Sequence, residues 1–436
     1  MASRISVVGA GISGVALAVF ARRMGYSVFV TDKAVKISDS AVTKFKESHI
    51  EWECGEHSRK CTQCDLMVVS SGVPESSQAV VMAREAGVKV IGELDFLSPH
   101  LKGKLIGITG SNGKTTTTSL TAHLLQSAGL DAVAAGNIGN PLGCVAGEEH
   151  DAIVMELSSF QLHWNTLLAP DVSVLTNLAP DHIDWHGSYE NYMEDKCKVF
   201  IPKQSACYAI VHECDAPRVP TSRTVCAIGN APIRIELGDD AVSLINGTQA
   251  KELFKRAELK LLGFHNLENA AMASAAIALA FPDINPACGL SEFKAPRHRC
   301  ELVCEKHGVL YVDDSKGTNV ASVITALNSV PGRKVIILGG QGKGETYEKL
   351  AEAVKKCAKA AVVLGSEADK ICYALEESGY KEIHRVKDIP EAVKVSSTLA
   401  SSGDTVLLSP ACTSWDMYRN YKERGDHFAQ CVKEIK

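Results

Sequence analysis

Short apolar runs alternate with stretches of 3.6-residue periodicity along the chain, the pattern of βαβ units built into parallel sheets. Arg4–Ala10 reads as a strand, Gly14–Met24 as a helix and Tyr26–Thr31 as a second strand. A further strand over Asp65–Ser70 runs into the turn Ser71-Gly72-Val73-Pro74. The alternation pauses near Gly92, and Ser98-Pro99-His100-Leu101-Lys102-Gly103 reads as a linker. A second run opens with Leu105–Thr109. Its later strands, Ala152–Leu157 and Val172–Asn177, are apolar on both faces, as buried parallel strands are. Ala-rich Asn266–Ala280 predicts a helix stopped by Pro282. A third run begins near Arg297, with strands over Val309–Val312, Val335–Leu338, Ala361–Leu364 and Thr405–Leu408. The expected organisation is three α/β domains, at 1–94, 95–297 and 298–436.

Length agrees, since 436 residues make about three domains of ordinary size. The formal charge of −5 argues against a nucleic-acid partner, and no Lys/Arg block marks a membrane anchor. Arg4 precedes the apolar stretch Ile5–Ala21, but Gly9, Gly11 and Gly14 interrupt it and no small-x-small site closes it, so export is not expected. Fifteen scattered cysteines then read as reduced thiols of a cytoplasmic protein. Cys61-Thr-Gln-Cys64 precedes a strand instead of opening a helix, which argues against a redox pair.

Two glycine loops carry the candidate chemistry. Gly110-Ser111-Asn112-Gly113-Lys114-Thr115 follows an apolar strand and opens a helix. Backbone N–H groups there can cradle phosphates, with Lys114 on the terminal phosphates and Thr115 on Mg²⁺. The spacing is two residues shorter between the glycines than in the usual phosphate loop. Gly9-Ala10-Gly11-Ile12-Ser13-Gly14, with Asp32 beyond it, matches the dinucleotide fingerprint. A nicotinamide or flavin oxidoreductase, another diphosphate ligand such as a nucleotide sugar, and a purely structural turn all fit this loop.

Other polar residues collect at strand ends. Glu156 stands where a second Mg²⁺ ligand belongs, or where a glutamate caps the next helix. In Asp181-His182-Ile183-Asp184-Trp185-His186 the two histidines have the spacing of a helical metal pair, although a polar loop suits Asp184 and His186 as well. His265-Asn266 and Asn269 open the Ala-rich helix, where asparagines cap or read a base edge. Asp313-Asp314-Ser315-Lys316-Gly317-Thr318-Asn319 suits ribose and phosphate contacts, or a solvated loop.

Taken in order, Thr109–Thr116, Glu156-Leu-Ser158-Ser, His182, Lys196, His265-Asn-x-x-Asn269 and Asp314-Ser-Lys316 resemble the Mur ligase family, ATP-dependent amide-forming enzymes of peptidoglycan precursor synthesis. The likeness spans the whole chain. The tail from Ser409 through Ser414 to Tyr421 and Phe428 resembles the D-glutamate-adding branch. The resemblance implies a Rossmann-like N-terminal domain, a central P-loop ATPase-type domain with a parallel or mixed sheet, and a Rossmann-like C-terminal domain. It implies that D-glutamate is added to UDP-N-acetylmuramoyl-L-alanine through an acyl phosphate, by a cytoplasmic monomer. Alternatives are a related ligase adding another amino acid, or a nucleotide-dependent oxidoreductase. The implied acceptor site is Gly11, Ile12, Ser13, Gly14, Asp32, Ser71, Asn137, Ser158 and Gln161. ATP would meet Gly110, Ser111, Asn112, Gly113, Lys114, Thr115, Thr116, Asn266, Asn269, Arg299, Asp314 and Lys316. D-Glutamate would meet Thr318, Lys343, Ser414, Trp415 and Tyr421, the last two bulkier or more polar than is usual there. Two Mg²⁺ ions are implied at Thr115, Glu156, His182 and Lys196, the lysine as a CO₂-derived carbamate. Lys114, His182 and Lys196 are the implied catalytic residues, and Lys198 is expected to point elsewhere on its helix.

Overall fold

The computed structural model describes residues 3–202, 207–261, 263–294 and 297–435. It contains three sheets, each flanked by helices, as the alternation predicts. The first has five parallel strands, β1 (Arg4–Val8), β2 (Ser27–Asp32), β3 (Glu51–Cys54), β4 (Leu66–Val69) and β5 (Lys89–Gly92), in the order β3-β2-β1-β4-β5. The order reverses beside β1. The carboxyl ends of the central strands therefore open a crevice there, the usual ligand position in an open α/β sheet.

The second sheet has nine strands: β6 (Lys102–Thr109), β7 (Ala132–Gly136), β8 (Glu149–Glu156), β9 (Val172–Leu175), β10 (Tyr208–His212), β11 (Thr224–Ile228), β12 (Ile233–Leu237), β13 (Ala241–Asn246) and β14 (Gln249–Lys255). Their order is β14-β13-β12-β11-β10-β9-β6-β8-β7, parallel except for the antiparallel pairs β12–β13 and β13–β14. β6 lies between β8 and β9, so Thr109, Glu156 and Leu175 end side by side. β6 also begins at Lys102, inside the expected linker, because pairing with Glu149 extends it through a weakly apolar stretch.

The third sheet runs β15-β16-β20-β17-β18-β19, from β15 (Glu301–Lys306), β16 (Val309–Asp313), β17 (Lys334–Gly339), β18 (Ala358–Leu364), β19 (Ile383–Arg385) and β20 (Thr405–Leu408). Only β15 is antiparallel to its neighbour.

Packing divides the chain into two compact units, Met1–Leu259 with Asn269–Phe293, and Lys260–Glu268 with Lys294–Lys436. The first two sheets share the first unit. Within it the helix Ile12–Arg23 lies against Leu142–Val145, and Arg23 Nη2 donates to the Ala146 carbonyl at 2.7 Å. One apolar core joins Val7, Phe20 and Phe96 to Ile153, Leu162 and Val199. The third sheet forms the second unit, with apolar cores on both of its faces. No described helix is long and apolar enough to cross a membrane.

Candidate active site

The second glycine loop joins β6 to the helix Lys114–Ser127. Gly113 caps that helix at φ +85°, and a Cβ there would come within 2.4 Å of Asn269 Oδ1, so the turn admits little besides glycine. The loop is held from β9's end. Ser111 N and Asn112 N donate to the Asn177 carbonyl and Oδ1, each at 2.9 Å, and Thr176 Oγ1 donates to the Asn112 carbonyl at 2.5 Å. Thr115 and Thr116 are buried on the first turn. Lys114 Nζ folds back onto the loop, donating to the carbonyls of Gly110 at 2.7 Å and Ser111 at 2.9 Å.

Lys196 approaches the same loop from the helix Tyr189–Cys197. It is only 1% exposed, and its Nζ donates to the Gly110 carbonyl at 2.8 Å from 4.7 Å over the Tyr192 ring. Tyr192 in turn hydrogen-bonds Ser111 Oγ at 2.9 Å. Two lysine amino groups thus converge on one carbonyl. Burial first, and then the charge of Lys114, hold the Lys196 ammonium well below its ordinary range. Glu156 closes the arrangement at the end of β8. Its Oε1 accepts from Asn137 Nδ2 at 3.1 Å, while its Oε2 is buried with no hydrogen-bond partner among the described residues. An orphaned carboxylate oxygen beside a phosphate-type loop, with the Thr115 hydroxyl at the loop's helix, fits a hard divalent cation.

The histidines separate. His182 is exposed at a left-handed φ of 52°, with its ring 4.8 Å from Phe160 and its Nε2 3.6 Å from Asp181 Oδ2. His186 is buried, with Nδ1 2.9 Å from Asp195 Oδ2 and Nε2 3.0 Å from Ser159 Oγ. Both His186 ring nitrogens therefore have protein partners, which favours the structural alternative over a metal pair for that residue. Asp184 is exposed. Asp195 also takes His163 Nδ1 at 2.8 Å and Lys198 Nζ at 2.7 Å, and these bonds hold its carboxyl far below the usual range against its own burial. Lys198 therefore clamps Asp195 instead of merely facing away.

At the first glycine loop, Gly14 lies so near Gly9 that a Cβ would sit 2.0 Å from the Gly9 carbonyl oxygen. Asp32, at the end of β2, binds the loop itself: Oδ2 accepts from Ala10 N at 2.6 Å and Oδ1 from Ala34 N at 2.7 Å. Gly11, Ile12 and Asp32 line a cleft of about 400 Å³ with Lys36 and Lys44. Ser13 and Ser71 are half-buried. Ser158 and Gln161 form a capping box on the helix Ser159–His163, and Gln161 Nε2 donates to Glu93 Oε1 at 2.7 Å. Its amide is thus engaged at both ends.

In the second unit the loops following β16, β17 and β20 meet. Ser409 Oγ donates to Asp314 Oδ2 at 2.6 Å, and burial pushes the Asp314 carboxyl up to about 7 against that bond and the charge of Arg299. His265 Nδ1 is 2.8 Å from Ser329 Oγ, and burial, then Arg299, pushes the imidazole down to about 4. Lys316 Nζ stands 5.3 Å over the Tyr421 ring. Lys343 Nζ is 3.5 Å from Thr318 Oγ1. The Ser414 hydroxyl is buried without a partner among the described residues, whereas Trp415 is 67% exposed. Of the residues expected around ATP, Gly110–Thr116 and Asn269 fall in the first unit, and Asn266, Arg299, Asp314 and Lys316 in the second.

Three residues of the site region carry no sequence mark. Glu93 and Asp195 are buried acids, and Arg424 is a buried guanidinium donating to Ser315, Cys412 and Thr413. Read locally, each has the pattern of a solvated charge on a mixed helix. Cys61, by contrast, had a motif and lacks the chemistry: burial pushes its thiol up to about 11, and the cysteines are free.

Three family models match the chain: the Mur ligase MurD-like N-terminal domain at 3–92, the Mur ligase middle domain at 108–277 and the Mur ligase glutamate ligase domain at 298–412. A UDP-N-acetylmuramoylalanine-D-glutamate ligase of Alkaliphilus metalliredigens is 34% identical over 449 aligned positions, covering 99% of this chain and 98% of that relative. One of Desulfatibacillum aliphaticivorans is 37% identical over 448, with 99% and 98% covered. Among solved structures, the UDP-N-acetylmuramate-alanine ligase of Thermotoga maritima matches with TM-score 0.62 at 20% identity, over 100% of each chain, a likeness of fold.

Proposed function

The chain belongs to the Mur ligase family, and from that premise we propose how its own residues perform the family's amide-forming reaction. It is an ATP-dependent acid–amino-acid ligase of peptidoglycan biosynthesis, adding D-glutamate to UDP-N-acetylmuramoyl-L-alanine with Mg²⁺. The observation that carries the reading is the meeting of Lys114, Lys196 and the unpartnered Glu156 oxygen around Gly110–Thr115.

In this reading the first cleft takes the UDP part of the acceptor, with Gly11–Gly14 facing the diphosphate and Asp32 and Ser71 nearby. Asn137, Ser158 and Gln161 set the acyl end near Glu156. The Gly110–Thr116 loop, with Asn266, Asn269, Arg299, Asp314 and Lys316, binds ATP as substrate. Lys114 neutralises the charge on the phosphoryl group as it passes to the acceptor's carboxylate. Thr115, Glu156, His182 and Lys196 would hold two Mg²⁺ ions, which when bound would offset the crowded oxygen charge. Lys196 serves as a carbamate. Its buried, readily neutral amine supports addition of CO₂ with loss of a proton, turning a repelling cation into an oxygen anion. Thr318, Lys343 and the Ser414 hydroxyl orient D-glutamate, and Trp415 and Tyr421 shape its approach. The amine attacks the acyl phosphate, and the tetrahedral adduct expels phosphate to leave the amide. The ranges 1–94, 95–297 and 298–436 act as acceptor, ATP and amino-acid domains of a cytoplasmic monomer.

Phosphate release measured with UDP-N-acetylmuramoyl-L-alanine and, in turn, D-Glu, L-Glu, D-Asp and L-Lys tests the reading. Release with D-Glu alone supports it. Preference for another amino acid, or turnover without ATP, overturns it.

A further inference from the structure

Glu93 opens the short helix Glu93–Leu97 and is 4% exposed. Its carboxyl faces two donors. Gln161 Nε2 lies 2.7 Å from Oε1, and the backbone of Ser71 hydrogen-bonds the same group. Gln161 Oε1 in turn accepts from Ser158 N at 2.9 Å and Ser158 Oγ at 3.0 Å. Ser158 stands two residues past Glu156, which Asn137 touches. The rest of the Ser71 turn is tied to the same region: Trp185 Nε1 donates to the Gly72 carbonyl at 3.4 Å and Trp164 Nε1 to the Val73 carbonyl at 2.9 Å. Three successive residues of one turn are thus anchored. Among these ties only that at Ser71 passes through an ionisable group.

We propose that Glu93 is a positioning residue for the UDP-linked acceptor, its carboxylate locking the Ser71 turn of the first sheet to the Ser158–Gln161 cap of the second so that the two ends of that substrate are held in register. The inference rests on the acceptor site proposed above. As an anion Glu93 accepts both bonds together. Once protonated it loses its charge and turns one oxygen into a donor, and because both facing groups are donors, the pair of bonds is weakened. Burial pushes the carboxyl up to about 7, with the two hydrogen bonds opposing it. Titratable groups on the surrounding elements are engaged elsewhere or exposed. His163 pairs with Asp195 and Glu75, and Asp95 accepts from Thr166 and Leu167. His100 lies edge-on to Phe20, and Lys89 is exposed. The lock therefore loosens as pH falls through neutrality.

The test is KM for UDP-N-acetylmuramoyl-L-alanine, ATP and D-glutamate on the full chain, from about pH 6 to about pH 9, with wild type, Glu93→Gln and Glu93→Asp. In wild type the acceptor KM should rise about tenfold on going to the acid end, with the other two constant within about twofold. Glu93→Gln should show an acceptor KM raised about tenfold at the alkaline end and flat with pH, with kcat within about threefold; Glu93→Asp should regain the pH dependence. Equal rises in all three KM values, an unchanged acceptor KM in Glu93→Gln, or a pH dependence that survives in it would overturn the inference. Should Glu93→Gln not fold, the wild-type profile decides alone, and a flat acceptor KM overturns it. Absence of any ligase turnover in wild type instead overturns the proposed function, so the two failures are distinct.

Discussion

The two glycine loops share one plan, a buried parallel strand, a glycine turn and a helix whose first N–H groups face outward, yet their surroundings differ in charge. At Gly9–Gly14 the nearby carboxylate turns inward, Asp32 binding Ala10 N and Ala34 N, and the loop has no lysine of its own. At Gly110–Gly113 two lysines converge on one carbonyl, opposite a glutamate oxygen without a partner. The backbone plan alone makes an anion site. Mobile or unbalanced charge around it makes a site where a phosphoryl group can be transferred. In the proposed reading, one loop holds a group that does not react, and the other surrounds the group that does.

The strongest way to break this contrast is to remove its charge. Lys114→Ala should lower kcat by about 10³-fold or more while leaving the melting temperature within about 2 °C, since its bonds to the Gly110 and Ser111 carbonyls lie within one loop. Turnover near wild type would make the second loop as passive as the first. At the first loop Gly14→Ala should do the reverse, lowering the melting temperature by about 5 °C through the clash with the Gly9 carbonyl.

Lys196→Ala should be nearly inactive, down about 10²-fold or more, and partly rescued by added acetate filling the vacated space. Lys198→Ala should lose about threefold, because it loosens Asp195 without touching the loop. Initial-rate measurements with and without acetate separate the two, and a more severe loss at Lys198 would reverse the assignment. A smaller effect is expected from Asp32→Asn, which leaves one of two backbone N–H groups facing a donor. The acceptor KM should rise about tenfold with the ATP KM unchanged, whereas equal rises would erase the division of labour between the loops.

The smallest effect concerns stability. Glu93 titrates near 7 in the folded chain against an ordinary 4.5, so between those values the folded state keeps a proton that the unfolded chain has lost. Stability from this group is therefore full below about 4.5 and declines as pH rises to about 7, by up to about 3 kcal/mol. Urea unfolding of Glu93→Gln should lack that decline. An identical pH slope in the variant would mean that Glu93 does not titrate there.

The phosphate loop was legible because its chemistry is contiguous: strand, glycines, lysine and threonine follow one another, and Glu156 ends a visibly apolar strand. Lys196 was legible only through resemblance, since a lysine on a polar helix has the pattern of a solvated one, and its burial depends on Tyr192 and Gly110. His182 and His186 show the opposite failure. Their spacing suits a metal pair, and both rings do pack on Phe160, but His186 is buried between Asp195 and Ser159 while His182 stays exposed beside Asp181. Strands β10 to β14 left little trace, since several bury only one face and carry charges on the other. Gln161 lies 68 residues from Glu93, and Ser315 lies 109 from Arg424, separations beyond any local pattern.

By itself, then, the sequence determined where chain direction changes, which runs are apolar enough to be strands, and which turns can accept an anion, because periodicity and glycine chemistry act over a few neighbouring residues. Tertiary structure alone decided which strand ends stand side by side, which lysine loses its water, and which carboxyl keeps a proton near neutrality. Those depend on the sheet order that sets β6 between β8 and β9, and on desolvation by residues far away in the chain.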